Sequence, residues 1–164
     1  MAVADVRAYL EPFGLADKVV EFTGSSHTVS EAAEQVGTQP EHIAKTLAFT
    51  NPADPDQAIL IVAAGDAKVQ GGAFKRRFGG KGNMVAPDRL VELTGHPMGG
   101  VCPFNNPESA EVWLDESLRR FETVWPAAGS ADSAVEGATD RLEEVADAAG
   151  WVDVCTGWRE EETP

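Results

Sequence analysis

Apolar residues at Val3, Val6 and Leu10 recur at helical spacing and predict a short amphipathic helix over residues 2–11, ended by Pro12–Gly14. The run VVEF (19–22) predicts a strand. In HTVSEAAEQVG, Thr28 stands three residues before Glu31 as a capping box and Gly37 supplies the stop, so a helix is expected between them. Pro40 suits the first position of a further helical turn. Two apolar runs follow, KTLAFT (45–50) and QAILIVAAG (57–65), separated by the turn-forming NPADPD. They predict an antiparallel strand pair with a slightly long connection. GGAFKRRFGG predicts a basic helix bounded by glycines, NMVA a brief strand, and PDRLVELTG a helix with proline at its start and Gly95 at its end. EVWLD (111–115) and FETVWPAAG (121–129) are strand-like in their aromatic and β-branched content. TDRLEEVADAAG (139–150) predicts a capped helix and WVDVC (151–155) a closing strand, with a frayed tail at 159–164. Strands come in groups as well as alternating with helices. The pattern therefore predicts an α+β fold, a mixed curved sheet with packed helices in one domain spanning 1–164, rather than a doubly wound parallel sheet.

The chain has 164 residues, enough to bury a core as one ordinary domain. No apolar run approaches the roughly 20 residues that cross a bilayer, and no apolar signal segment opens the chain. Cys102 and Cys155 make no disulfide framework, which fits a reducing compartment; the expectation is a cytoplasmic protein. A net charge of -14 argues against a nucleic-acid partner until its distribution is considered. Between Asp66 and Asp88 there is no acid, and Lys68, Lys75, Arg76, Arg77 and Lys81 supply five of the 13 basic residues. That stretch is either a solvated helix face or a phosphate-facing patch on a body that otherwise repels phosphate.

Several chemistries find no support. There is no nucleophile elbow, phosphate-binding loop or dinucleotide fingerprint. His27, His42 and His96 lack ligand spacing and two cysteines do not complete a zinc set, so no metal site and no cofactor is expected. The stretch HPMGGVCPF (96–104) is unusual in holding two prolines, two adjacent glycines, a histidine and a cysteine. Cys102 as a nucleophile would need a base, and only His96 is near in sequence; between valine and proline it reads as a small packing residue. Gly99 and Gly100 permit an open backbone whose successive N–H groups form an anion-binding concavity, or an ordinary tight turn. Lys45 heads an otherwise apolar strand. It is either a snorkelling surface residue or an ammonium set over a cleft, where it could hold a phosphate or polarise a carbonyl.

The segments TVSEAAEQVG, IAKTLAF, ILIVAAGDAKV, LVELTGHPMGGVCPF and VWLDESLRRFETVWPAAG, in that order over roughly residues 20–155, resemble the YbaK family. These are freestanding relatives of the editing domain inserted in bacterial prolyl-tRNA synthetases. The resemblance implies a compact α+β domain that hydrolyses an amino acid wrongly esterified to the 3′ end of a tRNA. It places catalysis on Lys45, with backbone contacts at the scissile ester from Gly99, Gly100 and Val101, and sets Thr28 and Pro103 along the pocket. The implied partners are the tRNA 3′ end, with Lys68, Lys75, Arg76, Arg77 and Lys81 as its weak contacts, and an aminoacyl-tRNA synthetase. Some members carry an acid after the AAG turn; here either Asp132 or Glu136 could fill that place. The apolar strand residues suggest that the amino acid removed is small and uncharged. The alternatives are a binding module without catalysis, or a protein that docks on a synthetase.

Overall fold

The computed structural model describes residues 2–22, 28–130 and 132–158, so His27 and the 159–164 tail lie outside the described residues. Among the described residues five α-helices (α1 Ala2–Leu10, α2 Val29–Val36, α3 Gly71–Phe78, α4 Leu90–Thr94, α5 Leu142–Val145) and ten strands are formed. The strands are β1 Val19–Glu21, β2 Ile43–Asn51, β3 Asp54–Ala64, β4 Lys68–Val69, β5 Glu111–Asp115, β6 Thr123–Pro126, β7 Ser133–Val135, β8 Gly137–Ala138, β9 Gly150–Val152 and β10 Cys155–Thr156. Six of them make a mixed sheet in the order β8-β6-β2-β3-β5-β9, with β2 antiparallel to β3 and parallel pairs β2/β6, β3/β5 and β5/β9. The fold is α+β, as the grouping of strands along the chain predicts.

Strand β3 is apolar without alternation because both of its faces are covered. Ala58, Leu60, Val62 and Ala64 join Val6, Leu10, Leu90, Leu93 and Leu142 in one core, while Ile59, Ile61 and Ala63 pack with Phe49, Phe74 and Val154 in a second. Phe74 of α3 is fully buried, its ring 4.8 Å from Phe49 and 4.7 Å from Phe78, which seats the basic helix on the second face.

The Thr28 hydroxyl accepts from the Glu31 N–H at 3.1 Å, and Gly37 closes α2 in the left-handed region at φ 75°. Thr28→Ala is expected to lower stability by about 1 kcal/mol, read as a shift of the urea midpoint at unchanged slope.

Four local expectations need correction. The NPADPD connection is short, since β2 runs to Asn51 and β3 starts at Asp54; the Asn51 side chain accepts from Ala53 N–H at 2.9 Å and tightens the turn. NMVA forms a single bridge, Met84 to Phe49, rather than a strand. The segment 121–129 is extended only over Thr123–Pro126. The helix expected over 139–150 is α-helical only at Leu142–Val145, and Asp147 at φ 51° turns the chain out of it.

Candidate active site

The stretch 96–104 folds into a turn held by its own backbone. Gly99 sits at φ 84°, a left-handed conformation that suits glycine, and the Gly100 N–H donates to the Pro97 carbonyl at 2.9 Å. Gly100 is needed for a different reason: a Cβ there would lie 2.6 Å from the Gly129 oxygen and 2.8 Å from the Ser130 Cα. The turn is thus wedged against the 129–130 loop. Asn106 pins its far end, donating to the carbonyls of Thr94 at 2.8 Å and Cys102 at 3.0 Å.

The turn's cysteine and histidine are inert. Cys102 is fully buried, and burial pushes its thiol up to about 12. His96 is also buried and held low by desolvation; its Nε2 lies 2.7 Å from the Phe104 carbonyl, so that nitrogen carries the proton. The Cys102 sulfur, 3.4 Å from the same Nε2, therefore faces a donor and has no base there. In the native protein at mildly alkaline pH, Cys102 is expected to resist iodoacetamide under conditions that fully alkylate the urea-unfolded chain, as peptide mass spectrometry will show.

Beside this turn lies a cavity of about 460 Å³. Ala44, Thr46 and Ala48 of β2, together with Ile43, Val85, Leu90, Trp125 and Ala127, give it a largely apolar lining. Thr28, Lys45, Met98, Gly99 and Val101 also border it, and Ser133 and Ala134 contribute from β7. Gly100 and Pro103 are buried behind the turn and do not line the cavity; nor do Asp132 and Glu136, the latter paired with Lys18 at 3.5 Å. Among the described residues Lys45 is the only charged side chain in the lining. Burial lowers its pKa, Cys155 and Asp66 oppose that shift, and its Nζ donates to the Gly65 carbonyl at 3.5 Å. Strand β2 is paired with β6 at Ile43 and Ala44 and bonds to residues 83–85 from Ala48 onward. Among the described residues that edge of β2 has no strand partner at Lys45–Leu47, while the other edge stays paired with β3 throughout.

Lys45, Thr28, Gly99 and Val101 are thus brought to one place. The pattern along the chain did not single out Trp125, Thr46, Met84 or Met98. Thr46 alternates with Lys45 across β2 and could have been placed by period alone; its hydroxyl is buried with no hydrogen-bond partner among the described residues. Met84 and Met98, 58% and 66% exposed, are large apolar side chains left at the cavity rim.

Lys75, Arg76, Arg77 and Lys81 are exposed on or beside α3, and the Arg77 guanidinium lies 4.5 Å over the Trp113 ring. None of these four, nor Lys68, forms an ion pair among the described residues. No helix among them is long and apolar enough to cross a membrane.

The family model described as aminoacyl-tRNA editing domain matches residues 23–145, and the chain belongs to that family. It is 44% identical over 158 residues to YwhH of Bacillus subtilis, an uncharacterized protein, covering 96% of this chain and 99% of that one. A solved structure described as a candidate trans-editing enzyme for prolyl-tRNA synthetase superposes with a TM-score of 0.83 at 31% identity, over 95% of this chain and 98% of the other. A second, the hypothetical protein APE2540, gives 0.80 at 26% identity over 92% and 99%.

Proposed function

We propose that this protein is a trans-acting deacylase that hydrolyses the ester of a mischarged tRNA in the cytoplasm, removing a small, uncharged amino acid. The observation that carries the reading is the convergence, in a member of an editing family, of Lys45 and the Gly99 turn on one apolar cavity.

The cavity argues for the substrate side chain. Its lining among the described residues holds no carboxylate to receive a cationic side chain and one cation, Lys45, at its rim. Burying an unpaired charge among Ile43, Ala44, Leu90 and Trp125 would be costly, so an uncharged group enters.

An aminoacyl ester is already labile, and catalysis needs orientation plus stabilisation of the oxyanion rather than a protein nucleophile. Lys45 holds the terminal phosphate or the ester carbonyl. The N–H groups of Gly99 and Val101 serve the oxyanion: neither donates to another group among the described residues, whereas the Gly100 N–H is spent on Pro97. Gly100 and Pro103 then act by fixing the turn. Water, or the terminal ribose hydroxyl, is aligned against the carbonyl within this frame.

The experiment is a panel of tRNAs charged with alanine, serine, cysteine, proline or a charged amino acid, each incubated with the protein. Faster loss of one or more small uncharged amino acids than the spontaneous rate is expected. Binding without turnover on the whole panel would reject the deacylase reading.

A further inference from the structure

Lys45 borders two cavities, the larger of about 460 Å³ and a smaller one of about 320 Å³ that Leu47, Lys68 and Phe74 also line. An ammonium between two open spaces needs something to hold it in place and keep it available. The turn that ends β3 supplies the first requirement. There the Ala67 N–H donates to the Ala64 carbonyl at 3.0 Å, with Gly65 and Asp66 between them. The Gly65 carbonyl accepts from the Lys45 ammonium at 3.5 Å. Packing fixes that carbonyl, since a Cβ on Gly65 would lie 2.0 Å from the Pro40 oxygen. Asp66 acts differently. Its charge favours the ammonium, yet no ion pair joins the two among the described residues.

The carboxylate is turned instead to Arg120, whose Nη1 and Nη2 donate to Asp66 Oδ2 and Oδ1 at 3.0 and 2.5 Å in a two-point fork. The guanidinium is itself fixed. Its Nε donates to the Ser117 carbonyl at 3.0 Å and Nη1 to the Trp158 carbonyl at 3.4 Å, and its carbon lies 4.6 Å from the centre of the Phe121 ring. Ser117 is fully buried and closes the frame: its N–H donates to Asp115 at 2.9 Å, and its hydroxyl accepts from the Ala64 N–H at 3.1 Å. The frame therefore returns to the same turn that carries Gly65 and Asp66. We infer that Arg120 is a positioning residue for Lys45, holding the Asp66 carboxylate out of ion-pair contact so that the ammonium stays free for the substrate. The inference rests on the deacylase reading for what that ammonium acts on. Without the guanidinium, Asp66 stands next in the chain to a carbonyl that Lys45 already meets, and it pairs with the ammonium in competition with the substrate. The other groups acting on the ammonium are Cys155 on β10 and Lys68 on β4, and neither bonds to Arg120 among the described residues.

The test joins turnover to the titration of Lys45, followed through the ε-carbon resonance of ¹³C-lysine-labelled protein and assigned with Lys45→Met. Arg120→Leu is expected to lower kcat/KM by about tenfold, the scale of one hydrogen bond to a charged group. It should also raise the Lys45 pKa, because a carboxylate in contact favours the charged form. Adding Asp66→Asn to Arg120→Leu removes the competitor, so most of the turnover should return and the Lys45 pKa should fall below its wild-type value. Arg120→Lys keeps a cation on Asp66 and should keep most of the turnover. Asp66→Asn alone leaves Arg120 in place, and it should lower the Lys45 pKa without loss of turnover even if Arg120→Leu fails to fold. A double variant no more active than Arg120→Leu, an unmoved Lys45 titration in Arg120→Leu, or lost turnover in Asp66→Asn overturns the inference. Lys45 titrations in the expected order, in a protein inactive on every charged tRNA, would reject the deacylase reading and leave the hold of Arg120 on Asp66 standing.

Discussion

Lys45→Met is expected to lower kcat/KM for ester cleavage by roughly 100-fold, the scale of losing one pre-organised electrostatic contact to the reacting group, while the folded chain persists. Methionine keeps a stem of similar length in the wall between the two cavities and removes only the ammonium. Among the described residues that ammonium donates one long hydrogen bond, to the Gly65 carbonyl at 3.5 Å. Its burial is unfavourable, which is why its pKa falls below the ordinary 10.5. The sign of the stability effect follows. Between the lowered value and 10.5 the unfolded chain binds more protons at this lysine than the folded one, so this group's contribution makes wild-type stability rise with pH across that window. The Lys45→Met variant should lack that increment, because its residue 45 does not titrate. Urea midpoints at neutral and alkaline pH, taken beside single-turnover deacylation, check both halves. Wild-type turnover in a folded Lys45→Met protein would move the chemistry away from this side chain.

The segments that could be read along the chain are those whose signal is local. The cap at Thr28, the stop at Gly37, and the apolar runs of β2 and β3 each depend on a few consecutive residues. The inertness of Cys102 was also legible, since a small residue between Val101 and Pro103 has the character of packing. What lay beyond reach depends on long-range pairing. Strands β4, β8 and β10 are two residues each and exist because a distant partner meets them, as Lys68 meets Thr156 and Val69 meets Cys155. Trp125 comes to the cavity through the parallel pairing of β6 with Ile43, across some 80 residues of chain. The helix expected over 139–150 was lost for a related reason: Ala149 donates its N–H to Val112 at 2.7 Å, so the edge of β5 claims the backbone that a longer helix would have used. Lys45 was visible as an odd residue at the head of an apolar strand. Its place where one edge of β2 lacks a strand partner among the described residues was not, because that stretch lies between the end of β6 and residues 83–85.

The two glycines of the turn separate a conformational requirement from a packing one, and Gly100→Ala is expected to have the larger effect. Overpacking of this kind costs about 1–3 kcal/mol, and displacement of a positioning loop by about an ångström costs roughly 100-fold in turnover. The added Cβ would meet backbone atoms, the Gly129 carbonyl at 2.6 and 2.7 Å and the Ser130 Cα at 2.8 Å, which cannot rotate aside. Nor can that loop retreat freely, because the Ser133 hydroxyl holds the N–H groups of Ala128 at 3.1 Å and Ser130 at 3.3 Å. Ser133 and Ala127 themselves border the larger cavity, so separating the turn from the loop deforms that cavity on both sides. Gly99→Ala is the control. Its strain comes from φ 84° and stays within the turn, a penalty of about 1–2 kcal/mol for a residue with a Cβ, while the contact with Gly129 is preserved. Thermal melting of the two variants, set against deacylation of the best substrate in the panel, distinguishes them. Gly100→Ala should lose turnover out of proportion to its stability, and Gly99→Ala should lose stability with most of its turnover kept. The reverse order would mean that Gly99 conformation, rather than the wedge of Gly100 against the 129–130 loop, sets the position of the N–H groups proposed as oxyanion donors.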